Sequence, residues 1–270
     1  MSHRLRAHEL DLPLRQSTVS DMLGLLDDPT VDIRVVGQRI ATEPVLTARL
    51  LTLANSPFYG RRDAVNDLSA AVMTVGQTSV RALVLALAVD AILSDDLGLG
   101  SDWWDDCLAT GATAASLAPH VGTDGGSAFC AGLLADIGHL AIAVSSPANW
   151  AALRDGFIEP TTDEETMAEL AREVEWFGID HAALGARILT DLGLPSALTD
   201  AVAAHHDPAA RRAGGVVQAV AAAAALVPHR RRGEPATDVL AAHGLASVDD
   251  VALFEQVDEQ VITLRSAFRT

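Results

Sequence analysis

Asp136 sits in an otherwise uncharged stretch: no other charged side chain occurs between Phe129 and Ile137. If Ala131, Leu134 and Ile137 share one helical face, Asp136 lies close to its buried side. A carboxylate there is costly unless it is paired, hydrogen-bonded or bound to a metal. Asp136 therefore needs a partner, and the chain offers several polar candidates. His181 falls on one helical face with Leu184 and Ile188. His205 and His206 end a predicted helix, where the dipole and nearby carboxylates stabilise imidazoles. Asp105 and Asp106 open another helix, and the dipole favours carboxylates there; Asp106 is also a competent ligand for a hard divalent ion. Asn55 and Tyr59 carry polar groups that could serve a ligand, and both equally suit a helix-terminating turn.

The elements that must position these groups are helical throughout. A short apolar segment, Val19 to Leu26, reads as one docking helix. Thr42-Glu-Pro44 is a helix-start signal followed by Leu46, Leu50 and Leu53 at helical spacing, and Asn55-Ser-Pro57 is the stop. Asn66 and Asp67 offer a cap before Leu68, Ala71, Val72 and Val75, and Gly76 ends that helix. A further helix, apolar on most sides and therefore central, runs from about Ser79 to Ile92. The Gly/Asp/Ser-rich segment from Leu93 to Asp102 marks a boundary. Beyond it, helices are expected from Trp103 to near Pro119, from Ala128 to Ala143 as one element, from about Glu164 to Trp176, and from an Asp180 cap to Gly193. Others follow from Ser196 to the His205-His206 pair, from Val216 to Val227, and within Val239 to Phe268. Pro228 and Pro235 bracket His229-Arg-Arg-Arg232, which reads as a solvated loop.

Composition narrows the function. The 270 residues, 49% of them hydrophobic, support a sizeable globular core. A formal charge of −17 argues against nucleic acid, which requires clustered Lys and Arg. Arg4, Arg6, His8, Glu9 and Asp11 break up any leader-like pattern, and the apolar run Ala82 to Val89 is too short to span a bilayer. The expected location is cytoplasmic, with no membrane. Cys107 and Cys130 lack metal-ligand spacing and read as buried free thiols.

Several segments carry a family resemblance. The run Leu50-Leu-Thr-Leu-Ala-Asn-Ser-Pro-Phe-Tyr-Gly60, then Leu68-Ser-Ala-Ala-Val72, Val75-Gly76 and Arg81-Ala-Leu-Val-Leu85, resembles the signature of HDOD domains, the HD-related output domains of bacterial signalling. Pro147-Ala-Asn-Trp150, Glu175 to Ala186, and Leu194 to Leu198 with the His pair are similar to later parts of the same pattern. The resemblance covers about Leu14 to Pro208. It implies an all-α HDOD fold, with an N-terminal helical part (14–100) packed on a degenerate HD-like part (101–208), and a C-terminal helical extension (209–270) completing the core.

Gly132-Leu-Leu-Ala-Asp-Ile-Gly-His-Leu140 also resembles the segment of HD-superfamily metal phosphohydrolases in which adjacent His and Asp ligate the metal. The position of that His is Ala135 here. The family's first ligand His corresponds to Asp106, and Ala219 to Ala225 offers no final Asp. With only Asp136 kept of four ligands, the resemblance implies a catalytically inactive signal-transduction module with no cofactor. No metal is expected, and Asp106, Asp136 and His181 are the ligands if one binds. Its expected partners are separate signalling proteins, together with a small-molecule or nucleotide ligand. The competing expectation is a divergent metal-dependent phosphohydrolase using Asp106, Asp136, His181, His205 and His206.

Overall fold

The computed structural model describes residues 17–268 apart from 29, 60–63, 93–98, 100–102, 156–159 and 161. The predicted boundary segment Leu93 to Asp102 therefore lies almost wholly outside the described residues. Fourteen α-helices are present among the described residues, and no strand. They are α1 (Ser17–Asp27), α2 (Ile33–Ala41), α3 (Pro44–Ala54), α4 (Leu68–Ile92), α5 (Trp103–Leu117), α6 (Gly125–Leu133) and α7 (Ile137–Ser145). After these come α8 (Pro147–Arg154), α9 (Asp163–Phe177), α10 (His181–Asp191), α11 (Ser196–Ala204), α12 (Gly215–Arg232), α13 (Thr237–Ala242) and α14 (Asp250–Phe268).

The N-terminal helices α1, α2 and α3 pack on α4. Pro44 occupies the first turn of α3, where its missing N–H costs nothing. The Asn55 side chain closes the loop after α3: its Nδ2 donates to the carbonyls of Leu51 and Val65, and its Oδ1 accepts from the Val65 N–H. The predicted break at Gly76 is present as a residue with φ 81° inside α4, a conformation that glycine adopts without strain.

In the second half, α5 and α6 form the central pair, and α12 and α14 both pack on α5. The two central backbones touch because glycines face each other. A Cβ on Gly132 would stand 2.8 Å from the Thr110 carbonyl oxygen, and one on Gly111 would stand 2.9 Å from that of Phe129. Helix α14 also reaches α3, and α4 packs on α6, so both halves share one core. Cys107 and Cys130 are buried free thiols within it.

Two expectations are corrected. The single helix expected over 128–143 is two helices, with a break at Leu134, Ala135 and Asp136; Leu134 and Asp136 have ψ near zero. The break lets Asp136 leave the helical face and turn toward α10 and α11. The arginine segment is not a loop either, because α12 runs through Pro228 to Arg232 and ends on Gly233 at φ 65°. Pro228 removes one helical hydrogen bond. Buried Leu226 and Val227 hold that turn in place, as do the ion pairs Arg230–Asp258 and Arg231–Asp106. The apolar stretches 68–86 and 125–145 have the length and composition of membrane spans, but both lie mostly in the core and are interrupted at Gly76 and at 134–136.

Candidate metal centre

The α6–α7 break, the start of α10 and the end of α11 bring Asp136, His181, His205 and His206 together, with one potential ligand atom from each within 4.8 Å of the others. The Asp180 side chain caps α10 by accepting from the Ala183 N–H, which places His181 in the first turn. A Cβ on Gly138 would lie 2.0 Å from the His181 carbonyl oxygen, so α7 and α10 can approach this closely only through glycine. The sequence reading singled out all four cluster residues. It missed His139 and Glu173, which support them.

Glu173 is fully buried on the inner side of α9. Its Oε2 accepts from the His181 N–H and lies 2.8 Å from His181 Nδ1, while its Oε1 lies 2.9 Å from His139 Nε2. Burial works against the charged form, but the imidazoles of His181 and His139 outweigh it and hold the carboxyl far below its usual range. His139 sits between two carboxylates, since its Nδ1 is 3.5 Å from Asp136 Oδ1. Burial lowers its pKa, yet Glu173 and Asp136 win and raise it to about 10, so it is an imidazolium donating from both nitrogens. Burial and the neighbouring His139 charge lower the His181 pKa. Burial and His205 push that of His206 well down. Asp136 is disfavoured by burial but held well below the carboxylate range by His139 and His205.

Proton positions follow from the partners. His205 Nδ1 is 2.7 Å from the Val202 carbonyl oxygen, an acceptor only, so Nδ1 carries a hydrogen and Nε2 is the ring atom turned to the cluster. His181 Nδ1 faces the Glu173 carboxylate and is protonated for the same reason, which leaves its Nε2 as a lone pair. These two Nε2 atoms are 3.3 Å apart, and they lie 3.5 and 3.7 Å from Asp136 Oδ1. Three atoms able to ligate a cation thus converge. Separations of this size match neighbouring donors around one cation at bond lengths of about 2.0–2.2 Å. The residues present therefore fit a single divalent ion of the kind that takes imidazole and carboxylate together.

Asp106 stands outside this cluster. Its Oδ2 accepts from Arg231 Nη1 at 2.6 Å on the wall of the same cavity, while Asp105 pairs with Arg265. Asn55 and Tyr59 lie elsewhere: Asn55 closes the α3 loop, and the Tyr59 hydroxyl bonds Ser79 Oγ at 2.9 Å beneath Gly126. The cavity itself measures about 700 Å³. Asp136, His205 and His206 line one wall with His181 buried behind them, and the rest carries Trp103, Trp150 and the cations Arg154, Arg211, Arg231 and Arg232. Each of these arginines is held by an acid: Glu169, Asp163, Asp106 and Glu234 respectively.

Glu169 gives this wall a pH signature. Burial lifts its carboxyl from 4.5 to about 7 despite the nearby His139 and Arg154. A raised acid pKa means that the folded chain holds this proton more tightly than the unfolded one. The Glu169 contribution to stability therefore falls as pH rises from about 4.5 to about 7 and is level above that. Urea unfolding at pH 5 and pH 8 should show the wild type losing stability relative to Glu169→Gln across that interval. Equal pH dependence of the two proteins would refute the assignment.

The fold is all-helical among the described residues, with Asp136 at a helix break and histidines gathered around it. The HDOD domain model matches residues 12–208, and the chain belongs to the HDOD domain family. Among solved structures, a provisionally named phosphohydrolase from Shewanella amazonensis SB2B is 22% identical, with a TM-score of 0.68 and 97% of each chain covered. An HDOD domain protein from Geobacter sulfurreducens is 23% identical, with a TM-score of 0.57, covering 96% of this chain and 92% of its own. These two share the fold. A provisionally named signal transduction protein from Marinobacter aquaeolei VT8 is 25% identical with a TM-score of 0.61; the match covers 96% of this chain and 58% of that longer one. No curated protein matches the chain.

Proposed function

We propose that this chain is a cytoplasmic, non-hydrolytic HDOD signalling module that binds one divalent transition-metal ion in its central cavity. It passes the occupancy of that cavity to separate signalling proteins. The observation that carries this reading is the convergence of His181 Nε2, His205 Nε2 and Asp136 Oδ1 within 3.7 Å of one another, with His206 beside them. Asp136, His181, His205 and His206 would hold the ion. Glu173 fixes the His181 tautomer, and the Val202 carbonyl fixes that of His205. Bound there, the ion would supply a Lewis-acidic centre for an anionic ligand such as a phosphate or a nucleotide.

Support for binding without turnover comes from the positions where the superfamily pattern expects further ligands. Ala135 has no donor, residues 219–225 include no acid, and Asp106 is engaged by Arg231. A divergent phosphohydrolase is the second reading, favoured by the four clustered ligand residues.

One set of measurements separates them. Protein prepared without chelators should carry one ion per chain by elemental analysis. Zinc, manganese or iron titrated into the apo chain should raise its melting temperature, by about 2.7 kcal/mol of added stability at a hundredfold excess over Kd. Asp136→Ala should weaken binding by at least about 10–100-fold. Cyclic dinucleotides and simple phosphodiesters should remain intact with the loaded protein. Turnover that Asp136→Ala abolishes would establish the enzyme, and failure to bind any of the three ions would end both readings.

A further inference from the structure

Helix α9 is placed differently from every other long helix. The pairs α3–α4, α5–α6 and α10–α11 pack along their lengths, whereas among the described residues no helix packs along α9. Its inner side is fastened through buried Glu173 and Phe177, with Glu169 and Trp176 beside them, and Arg172 to the Leu153 carbonyl and Asp163 to Arg211 add polar ties. The flank about a quarter-turn round from Glu173 carries Met167, half-buried Leu170, Ala171 and Val174 at the i, i+3, i+4, i+7 spacing of a single apolar stripe. Met167 and Val174 are 47% and 46% exposed, and Leu170 lies outside the core cluster. Exposed Glu164 and Glu175 border one edge of this stripe.

We propose that the α9 stripe is a docking surface for an amphipathic helix of a partner protein, with apolar residues at helical spacing and Lys or Arg along its edge. The charges select this occupant. Two copies of α9 laid stripe to stripe would oppose their own glutamates in a chain of net charge −17, and an anionic lipid surface would meet the same repulsion. A basic amphipathic helix meets the apolar stripe and pairs with its acidic border. Glu173 on the inner side bonds His139 and His181, so the docking helix is also the one that touches the metal centre. The docking itself does not depend on a metal.

The four methionines allow a direct test on the full chain with methyl-labelled Met. A synthetic helix of leucines at i, i+3, i+4, i+7 flanked by lysines should shift the Met167 methyl signal saturably. The signal of Met73, 72% exposed on α4, should stay in place as the control for non-specific apolar binding. Val174→Asp, at an exposed site that leaves folding intact by circular dichroism, should abolish the shift. Glu164→Lys with Glu175→Lys should weaken it at least tenfold, as should a peptide with glutamates replacing its lysines. Four outcomes would overturn the proposal: Met73 and Met167 moving together, equal binding of the acidic peptide, a Val174-dependent dimer in sedimentation, or Val174-dependent binding to anionic vesicles.

Discussion

Glu173→Ala should lose about 3–5 kcal/mol of stability, the penalty for removing one partner of a buried charged pair. In a chain of this size that lowers Tm by roughly 10 °C. The magnitude follows from what is stranded. The side chain is wholly buried, and its removal leaves the His181 N–H, His181 Nδ1 and His139 Nε2 without their acceptor. Nothing then holds His181 in the Nδ1-protonated tautomer, so its Nε2 no longer stands ready beside Asp136. Metal affinity should drop by about 10–100-fold even though Glu173 is no proposed ligand. Glu173→Gln keeps the shape and one acceptor, and should fall between the two. Calorimetric melting of the metal-free proteins checks the stability, and zinc titration checks the affinity. A Glu173→Ala protein as stable as wild type would disprove the role of this carboxylate as the support of the site.

Gly138→Ala should be comparably damaging although it adds one methyl group. The added Cβ would fall 2.0 Å from the His181 carbonyl oxygen, 2.7 Å from its carbon and 2.8 Å from its Cα. All three are backbone atoms, so no rotamer change can relieve the overlap, and α7 must move away from α10. Overpacking ordinarily costs about 1–3 kcal/mol and occasionally more. A backbone collision belongs at the upper end of that range. The displacement also carries Asp136 away from His181, so metal binding should fail together with stability. Gly185→Ala, across the same contact, is the control: its Cβ would meet Ile137, Gly138 and Val202 at 3.2–3.3 Å, and two of those neighbours are side chains that can yield. A urea-unfolding series should rank wild type above Gly185→Ala, and that above Gly138→Ala. Equal midpoints for the two variants would show that the α7–α10 approach is looser than described.

Periodicity and stop signals were enough to read the helical class, because apolar spacing and Pro, Asn and Gly placement act within a few residues. The starts at Pro44 and Asp180, the break at Gly76 and the acidic α9 were legible for that reason. The same local logic failed at Leu134–Asp136 and at Pro228. At the first, an apolar run read as one helix is broken where Asp136 turns to meet histidines 45 and 69 residues further on. At the second, burial and ion pairs to Asp106 and Asp258 carry the helix past a proline that reads as a loop boundary.

For the site, the sequence alone marked Asp136 as a carboxylate in need of a partner and pointed to His181, His205 and His206. It did not separate them from Asp106, Asn55 and Tyr59, since each is a plausible polar group at a helix end. His139 lay inside the stretch that drew attention, three residues after Asp136, and went unmarked. Glu173 was invisible because it is one of several acids on α9, and only its four-residue spacing to buried Phe177 hinted at an inward face. Hydrophobic patterning acts along the chain and is written in it. The meeting of two imidazole nitrogens with one carboxylate oxygen depends on how α7, α10 and α11 pack, and on a glycine that lets two backbones touch, so only the tertiary structure could decide it.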